Sequence, residues 1–213
     1  KNFVKNFSLT NKYLLKQSRT IKNKHTGSSC FVLGSGSSLK SQDIKKLKFE
    51  NVISVSNSFV HPDFSIIKPR YHAVPPLIGS HGELYSEKQF VKWLKVMEAK
   101  TGQAEMFFYI GDRQMIESNN LFQNRIVHWV DYTLYTNSSR SITLDKIYQI
   151  NTVSELAITI ALYLGFDKIY LLGIDHDWFN GPLVYFYDYK KNHELSPNQD
   201  KLSIVDSEFQ MRR

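Results

Sequence analysis

Short apolar runs that end in glycine or polar residues recur along this chain. They lie at residues 31–33, 51–56, 71–74, 106–110, 125–130 and 168–172. Runs rich in Val, Ile, Leu and aromatic residues between turn-forming residues are typical of β-strands. The last run, KIYLL, is apolar almost throughout, which predicts a strand buried on both faces of a parallel sheet.

Helical periodicity separates several of these strands. Residues 86–100 have the apolar spacing of a surface helix, and residues 39–47 are helix-like. A further helix follows Thr152 or Ser154, either of which can cap it, and ends at Gly165. Strand–glycine units with intervening helices predict an α/β fold in one domain. We expect a Rossmann-like, open, mostly parallel sheet flanked by helices.

Basic residues are concentrated at the N-terminus. Residues 1–24 contain seven Lys and Arg and no acid, which equals the net charge of +7, so that residues 25–213 carry balanced charge. Apolar residues recur here at rough helical spacing, which predicts a basic amphipathic helix over residues 1–27 before a Rossmann-like domain at residues 28–213. Such a helix either lies on an anionic membrane surface or, more commonly, packs on the domain with solvated lysines.

Composition narrows the function classes further. No basic stripe interleaved with aromatic residues continues past residue 24, so we expect no nucleic-acid partner. The single cysteine, Cys30, excludes an internal disulfide and a cysteine-based zinc cluster. His61, His72 and His81 match no compact metal-ligand spacing. No apolar run approaches the roughly 20 residues of a membrane span, and no signal peptide is visible, so we expect a cytoplasmic protein.

A glycine-rich turn, GSGSS, follows the first apolar run. Gly34 and Gly36 let the chain turn sharply and let a phosphate approach the backbone, while the hydroxyls of Ser35 and Ser37 add donors. The third glycine of the usual dinucleotide fingerprint is missing, since Leu39 stands at that position. The turn is therefore either a phosphate-binding loop or an ordinary connection from strand to helix.

Other polar residues follow predicted strands or precede a helix. Asn57 ends the second strand and can contact a ribose or form a turn. Asp175 and Asp177 follow the last strand as a D-x-D pair, whose hard carboxylate oxygens suit Mg²⁺ or Mn²⁺. Because ligands bind outside the carboxyl ends of parallel strands, we expect these residues, the GSGSS turn and residues 151–154 to lie at one edge of the sheet.

Three segments carry a resemblance to a known family. GSGSSL, the VSN that ends the second strand, and NTVSELAITIALYLGFDKIYLLGID resemble the bacterial single-domain, Rossmann-like sialyltransferases. Those enzymes have a GNGPSL-type turn, a ribose-binding Asn after the second strand, and a similar segment that ends in GID. The same segments recur in motility accessory factors and archaeal-type pterin pyrophosphokinases. The resemblance covers residues 30–57 and 148–188.

The resemblance implies an inverting sialyltransferase-like enzyme that needs no cofactor and moves a sugar from a CMP-sugar donor to a cell-surface glycan acceptor. It implies nucleotide contacts from nine residues: Gly34, Ser35, Gly36, Ser37, Asn57, Thr152, Ser154, Gly173 and Asp175. Tyr185 matches the second of two tyrosines that assist the departing phosphate. His193 is the nearest match to the histidine base, and His176 is an alternative without a counterpart in the family.

The chain departs from the family at several positions. Asp177 stands where the first tyrosine is expected, and Ile150 where the family keeps an arginine. Two other functions therefore stay open. One is a metal-dependent pyrophosphokinase or nucleoside-diphosphate-sugar transferase that uses Asp175 and Asp177. The other is a non-catalytic module that binds a nucleotide or a glycan. The sequence does not indicate an oligomeric state.

Overall fold

The computed structural model describes residues 9–77, 86–131, 142–145, 147, 150, 152–176 and 185–188. Its strands form one six-stranded sheet in which every pairing is parallel, in the order β5-β4-β3-β2-β1-β6. The strands are β1 (Ser29–Leu33), β2 (Val52–Val55), β3 (Tyr71–Ala73), β4 (Glu105–Tyr109), β5 (Val127–Val130) and β6 (Lys168–Leu172). The predicted Rossmann-like sheet is confirmed.

Helices cover both faces of this sheet. They are α1 (Leu9–Gln17), α2 (Phe64–Ile67), α3 (Glu87–Lys100), α4 (Arg113–Ser118) and α5 (Val153–Leu164). One core packs buried side chains of α3 and α4 against one face, and a second core packs α5 against the other. The chain winds from β1 to β5 in one direction and then returns beside β1 as β6. Winding therefore reverses between β1 and β6, where sheets of this type bind ligands.

The two longest helices begin and end as their sequences predict. Ser86 caps α3 in a capping box with Gln89, and Thr152 caps α5 in a capping box with Glu155. Gly165 ends α5 with φ 84°, a left-handed conformation that glycine adopts without a steric penalty. Both caps satisfy backbone N–H groups that have no partner inside the helix.

The helix predicted over residues 39–47 is wrong. Two short 3-10 helices, Ser37–Ser41 and Ile44–Leu47, occupy this stretch. The Asp43 side chain accepts a hydrogen bond from the Lys45 N–H and starts the second of them. Short polar side chains that bond to nearby backbone favour such starts over a continuous α-helix. The apolar residues of the stretch, among them Leu39 and Leu47, are still buried.

The prediction that β6 is buried on both faces is also wrong. β6 lies at the edge of the sheet, and Tyr170 and Leu171 are 47% and 49% exposed. In contrast, all four residues of β2, whose sequence is VISV, are buried. An apolar run reveals a strand, but it does not reveal whether another strand lies alongside it.

The N-terminal segment wraps around the opposite edge of the sheet. Leu15 of α1 joins the core on one face, and Ile21 joins the core on the other. Between them the Ser18 hydroxyl donates to the carbonyl of Trp129 in β5 at 2.9 Å. Residues 18–27 form a 3-10 helix and turns, and the predicted helical residues 1–8 lie outside the described part. The described helices are all too short or too polar to cross a membrane.

Candidate functional site

The glycine turn (residues 34–38) packs directly against the turn that follows β6. The Gly34 N–H donates to the Leu172 carbonyl at 2.8 Å, and the Gly36 N–H donates to the Gly173 carbonyl at 2.7 Å. A Cβ on Gly34 would collide with the Gly173 carbonyl oxygen, and one on Gly36 would collide with the Asp175 carboxylate. Glycine is needed at both positions because the two turns approach so closely.

The Asp175 carboxylate accepts hydrogen bonds from the last two residues of the glycine turn. The donors are the Ser38 N–H at 2.9 Å, the Ser38 hydroxyl, and the Ser37 hydroxyl at 3.3 Å. Burial raises the pKa of Asp175, but the hydrogen bonds from Ser38 and Ser37 outweigh it, so that this pKa lies below its usual value. The carboxylate is therefore ionised at neutral pH.

This arrangement changes what the glycine turn can bind. The N–H groups of Gly34, Gly36 and Ser38 already donate to acceptors in the protein. A phosphate on the Gly34 or Gly36 N–H would have to displace a backbone carbonyl, and one on the Ser38 N–H would have to displace the Asp175 carboxylate, which also repels it. A ribose or sugar hydroxyl can instead donate to that carboxylate, as hydroxyls do to acidic residues of other Rossmann-like sites. The phosphate roles of Gly34, Ser35, Gly36 and Ser37 stay predictions.

The return segment (residues 185–188) crosses the glycine turn. Tyr185 pairs with Gly36 in an antiparallel bridge, and the Phe186 N–H donates to the Ser35 carbonyl at 3.1 Å. The rings of Tyr185 and Tyr187 stack with their centroids 5.2 Å apart. The structure therefore brings Tyr185 to the glycine turn, although the two are far apart in the sequence.

Asn57 lies two residues after the end of β2, in a 3-10 helix spanning Ser56–Val60. Its Oδ1 accepts from the Trp93 indole N–H at 2.7 Å, and its Nδ2 donates to the Tyr187 hydroxyl at 3.0 Å. These two bonds fix the orientation of the amide. They also connect the carboxyl end of β2 to helix α3 and to the return segment.

His61 is a further polar residue beside the return segment. Its ring centroid lies 5.0 Å from that of Phe186. Burial lowers the pKa of His61, against the opposing charge of Asp63, so that the ring is neutral at pH 7. The Nδ1 atom accepts from the Asp63 N–H at 3.2 Å. The neutral ring then carries its proton on Nε2, where it is a hydrogen-bond donor.

Sequence reasoning missed the contributions of Trp93 and His61. Trp93 stands on the buried side of α3, and an aromatic residue in that position indicates core packing. Its indole N–H nevertheless bonds Asn57, because a buried Trp needs a partner for that group. The spacing of His61 from other histidines bears only on metal binding and does not reveal its position beside the return segment. The polar, turn-forming sequence after β2 was a signal that this region borders the site.

Thr152 and Ser154 lie at the start of α5. The Thr152 hydroxyl accepts from the Glu155 N–H at 3.1 Å, so the predicted capping role is confirmed, and the Ser154 residue is partly buried. Because α5 leads directly into the amino end of β6, its own beginning lies toward the carboxyl edge of the sheet. A role of Thr152 and Ser154 in nucleotide binding stays a prediction.

Besides Tyr185, three of the predicted functional residues follow Asp175 in the chain. His176 is exposed and has φ 49°, an uncommon conformation for a residue other than glycine. His193 and Asp177 lie outside the described residues, as does His81. Within the described part, His, Cys, Asp and Glu side chains form no group of three that could hold a metal ion.

Comparisons of the chain with protein-family models, with curated proteins and with solved structures found no significant match. Function is therefore inferred from the geometry of this edge of the sheet and from the residues that occupy it.

Proposed function

We propose that this protein is a glycosyltransferase that moves a sugar from a CMP-sugar to a glycan acceptor with inversion. One observation carries the proposal: an ionised Asp175, an oriented Asn57 amide and stacked Tyr185 and Tyr187 converge beside the point where winding reverses. The resemblance of residues 30–57 and 148–188 to the sialyltransferases supports the same conclusion.

In the proposed complex, the carboxylate and the phosphate-stabilising groups have separate tasks. Asp175 accepts hydrogen bonds from hydroxyls of the ribose or the sugar, and Asn57 contacts the ribose. The single phosphate lies on the side of Tyr185, away from the negative charge of Asp175. This division follows from the hydrogen bonds that already hold Asp175 on Ser37 and Ser38.

The proposed reaction needs few groups. The bond between the anomeric carbon and the phosphate oxygen breaks, and CMP leaves with both electrons of that bond. The acceptor oxygen bonds to the opposite face of the same carbon, and its proton passes to a histidine. His193 is the proposed base, with His176 as the alternative. The Tyr185 hydroxyl donates to the departing phosphate and stabilises its charge.

The setting of the reaction is part of the proposal. We propose that the enzyme acts in the bacterial cytoplasm on acceptors of cell-surface polysaccharide synthesis. Ile150, which stands where the sialyltransferases that the sequence resembles keep an arginine, packs against the core on the α5 face. The proposed donor therefore does not depend on a cation at that position, and it includes CMP-sugars without a carboxylate.

Calorimetry with the full chain tests the proposal. CMP, CDP, UDP, GDP and ATP are titrated with and without Mg²⁺, and we expect metal-independent binding of CMP. Asn57→Ala should abolish this binding. Asn51→Ala is the matched control, because Asn51 precedes the same strand at its other end and donates to the Ser29 carbonyl at 3.2 Å. This variant should bind CMP as the wild type does.

Other binding results would favour other functions. Binding only of a di- or triphosphate nucleotide with Mg²⁺ would replace the proposal by the metal-dependent one based on Asp175 and Asp177. Binding of CMP without turnover of any CMP-sugar, and unchanged in His193→Ala, would indicate a non-catalytic binding module. Absence of nucleotide binding would contradict the glycosyltransferase and the metal-dependent enzyme, and of the third alternative it would leave only a module that binds a glycan.

A further inference from the structure

Helix α1 presents two large apolar side chains to solvent between lysines. Leu9 and Tyr13 are one helical turn apart and are 85% and 64% exposed. Lys12 and Lys16 are neighbours on the same side of the helix and are also exposed. These four residues are called the α1 outer face.

The opposite side of α1 makes the contacts that hold the helix on the domain. Leu15 is buried in the core, and Leu14 is packed against it. The Asn11 side chain accepts from the Arg113 guanidinium at 2.8 Å. Packing of the helix therefore explains Leu14 and Leu15, but it does not explain why Leu9 and Tyr13 are apolar.

Charge around the α1 outer face is positive. Residues 1–24 contain no acidic side chain. Of the carboxylates that reach this segment from other elements, Asp145 pairs with Arg19 at 3.0 Å, and Glu105 lies 3.8 Å from Lys24. Glu105 also accepts from the His128 ring at 2.6 Å. Both of these ion pairs involve Arg19 or Lys24, whereas the side chains of Lys12 and Lys16 are exposed to solvent.

We propose that the α1 outer face docks on an anionic membrane surface. Anionic lipid headgroups attract Lys12 and Lys16, and Leu9 and the Tyr13 ring enter the boundary between headgroups and acyl chains. A nucleic acid would attract the lysines equally, but it would offer Leu9 no apolar environment. Apolar and basic residues on one face therefore favour the membrane. The inference does not depend on the proposed enzymatic activity.

The proposal sets the orientation of the domain. Residues 18–21 follow α1 along β5, so that the β5 edge of the sheet lies toward the bilayer. The β6 edge lies at the far side of the sheet from it.

Flotation of the full chain with vesicles tests the proposal. Vesicles of phosphatidylcholine alone are compared with vesicles that also contain phosphatidylglycerol. We expect binding only to the second kind, and weaker binding at high salt. Replacing both lysines in Lys12→Gln/Lys16→Gln should lower the affinity about fivefold per lysine, and so about 25-fold together. Leu9→Ser/Tyr13→Ser should also weaken binding, although it keeps the charge.

The matched control is Lys45→Gln/Lys46→Gln, which removes the same charge from exposed lysines of another element. This variant should bind anionic vesicles as the wild type does. Lack of binding to anionic vesicles, or an equal loss in the control, would overturn the proposal. Unchanged vesicle binding in Leu9→Ser/Tyr13→Ser together with equal affinity for a DNA duplex would instead indicate general attraction to polyanions. Circular dichroism establishes that each variant is folded.

Discussion

The two edges of the sheet differ in what covers them. At β5, Trp129 is only 6% exposed, because α1 and residues 18–21 wrap around this edge. At β6, Tyr170 and Leu171 are about half exposed, and no described residue pairs with the outer side of the strand. Proteins normally cover the edge strands of a sheet, and the β5 edge follows this rule whereas the β6 edge does not.

The β5 edge contributes mainly to the stability of the fold, whereas the candidate site lies near the β6 edge. The β5 edge is held by buried side chains and by a hydrogen bond from Ser18. β6 is attached mainly through β1 and the close packing of the glycine turn on the residues after β6. The candidate site lies at that second, less buried junction. We therefore expect substitutions at β5 to affect folding most, and those on the outer side of β6 to affect it least.

Among substitutions that only remove atoms from a side chain, the largest effect is expected for Trp129→Ala. Trp129 packs near Phe108, with ring centroids 6.2 Å apart, and its loss leaves a cavity under α1. The free energy of unfolding should fall by about 3–5 kcal/mol in urea denaturation. Tyr170→Ala on β6 is the matched aromatic substitution and should cost clearly less. Equal losses would show that the two edges are equally buried.

The junction between β1 and β6 should be sensitive to a single methyl group. Gly34→Ala places a Cβ against the Gly173 carbonyl, and the two turns must separate. We expect unfolding to become easier by about 1–3 kcal/mol, the usual cost of overpacking. Ser35→Ala, at the next position, is the control and should leave the midpoint of urea denaturation nearly unchanged. A stable Gly34→Ala would mean that the turns are not in close contact.

Acid should destabilise the interior of the sheet through His72, which lies on β3. Complete burial lowers the pKa of this side chain to about 3, against a hydrogen bond with Ser56 that raises it. The unfolded chain therefore takes up a proton as the pH falls below about 6.5, whereas the folded chain does not. Stability from this group is complete above pH 6.5 and is lost progressively toward pH 3.

Urea denaturation at pH 6.5 and pH 5 measures this loss. The slope rises toward about 1.4 kcal/mol per pH unit below the pKa of the unfolded histidine, so the wild type should lose about 1.6 kcal/mol more than His72→Asn over this interval. If His72→Asn has the same pH dependence as the wild type, then His72 is not the group responsible.

The smallest effect is expected for Leu171→Lys. The side chain is half exposed at the open edge, so stability should change by less than about 0.5 kcal/mol. Val130→Lys on β5 is the matched substitution, and it should prevent folding or destabilise the protein severely, because Val130 is fully buried.

Amide hydrogen exchange checks the open edge directly. The Leu172 carbonyl accepts from Gly34, so Leu172 faces β1, and the neighbouring Leu171 N–H points away from the sheet. Exchange at Leu171 should therefore be faster than at Leu172. Equal protection of both amides would mean that another strand pairs with β6, and the contrast between the edges would then disappear.

Much of the fold could be predicted from local patterns. Apolar runs bounded by turn-forming residues located the strands. Apolar spacing located α3, and capping residues located α5. The position of β6 at the edge of the sheet could not be predicted in this way, because burial of a strand depends on its neighbours in space. The helix predicted over residues 39–47 was wrong for a different reason, because the local hydrogen bond of the Asp43 side chain outweighs a weak helical pattern.

The candidate site was predictable only as a location. Parallel winding placed the glycine turn, Asn57 and Asp175 at the same edge of the sheet before any contact was known. That the Asp175 carboxylate bonds Ser38, 137 positions away in the chain, depends on how two turns pack. The bond between Trp93 and Asn57 depends likewise on the position of α3 over β2. Neither contact has a signature in sequence spacing.

The hydrogen bond between Trp93 and Asn57 also gives this protein a built-in optical probe. Indole emission responds to the polarity and hydrogen bonding around the ring, and the Trp93 N–H is bonded to a residue of the candidate site. Any ligand that engages Asn57 alters the surroundings of this indole. A fluorescence titration of unlabelled protein would then report occupancy, and Trp93→Phe would identify the signal among the three tryptophans of the chain.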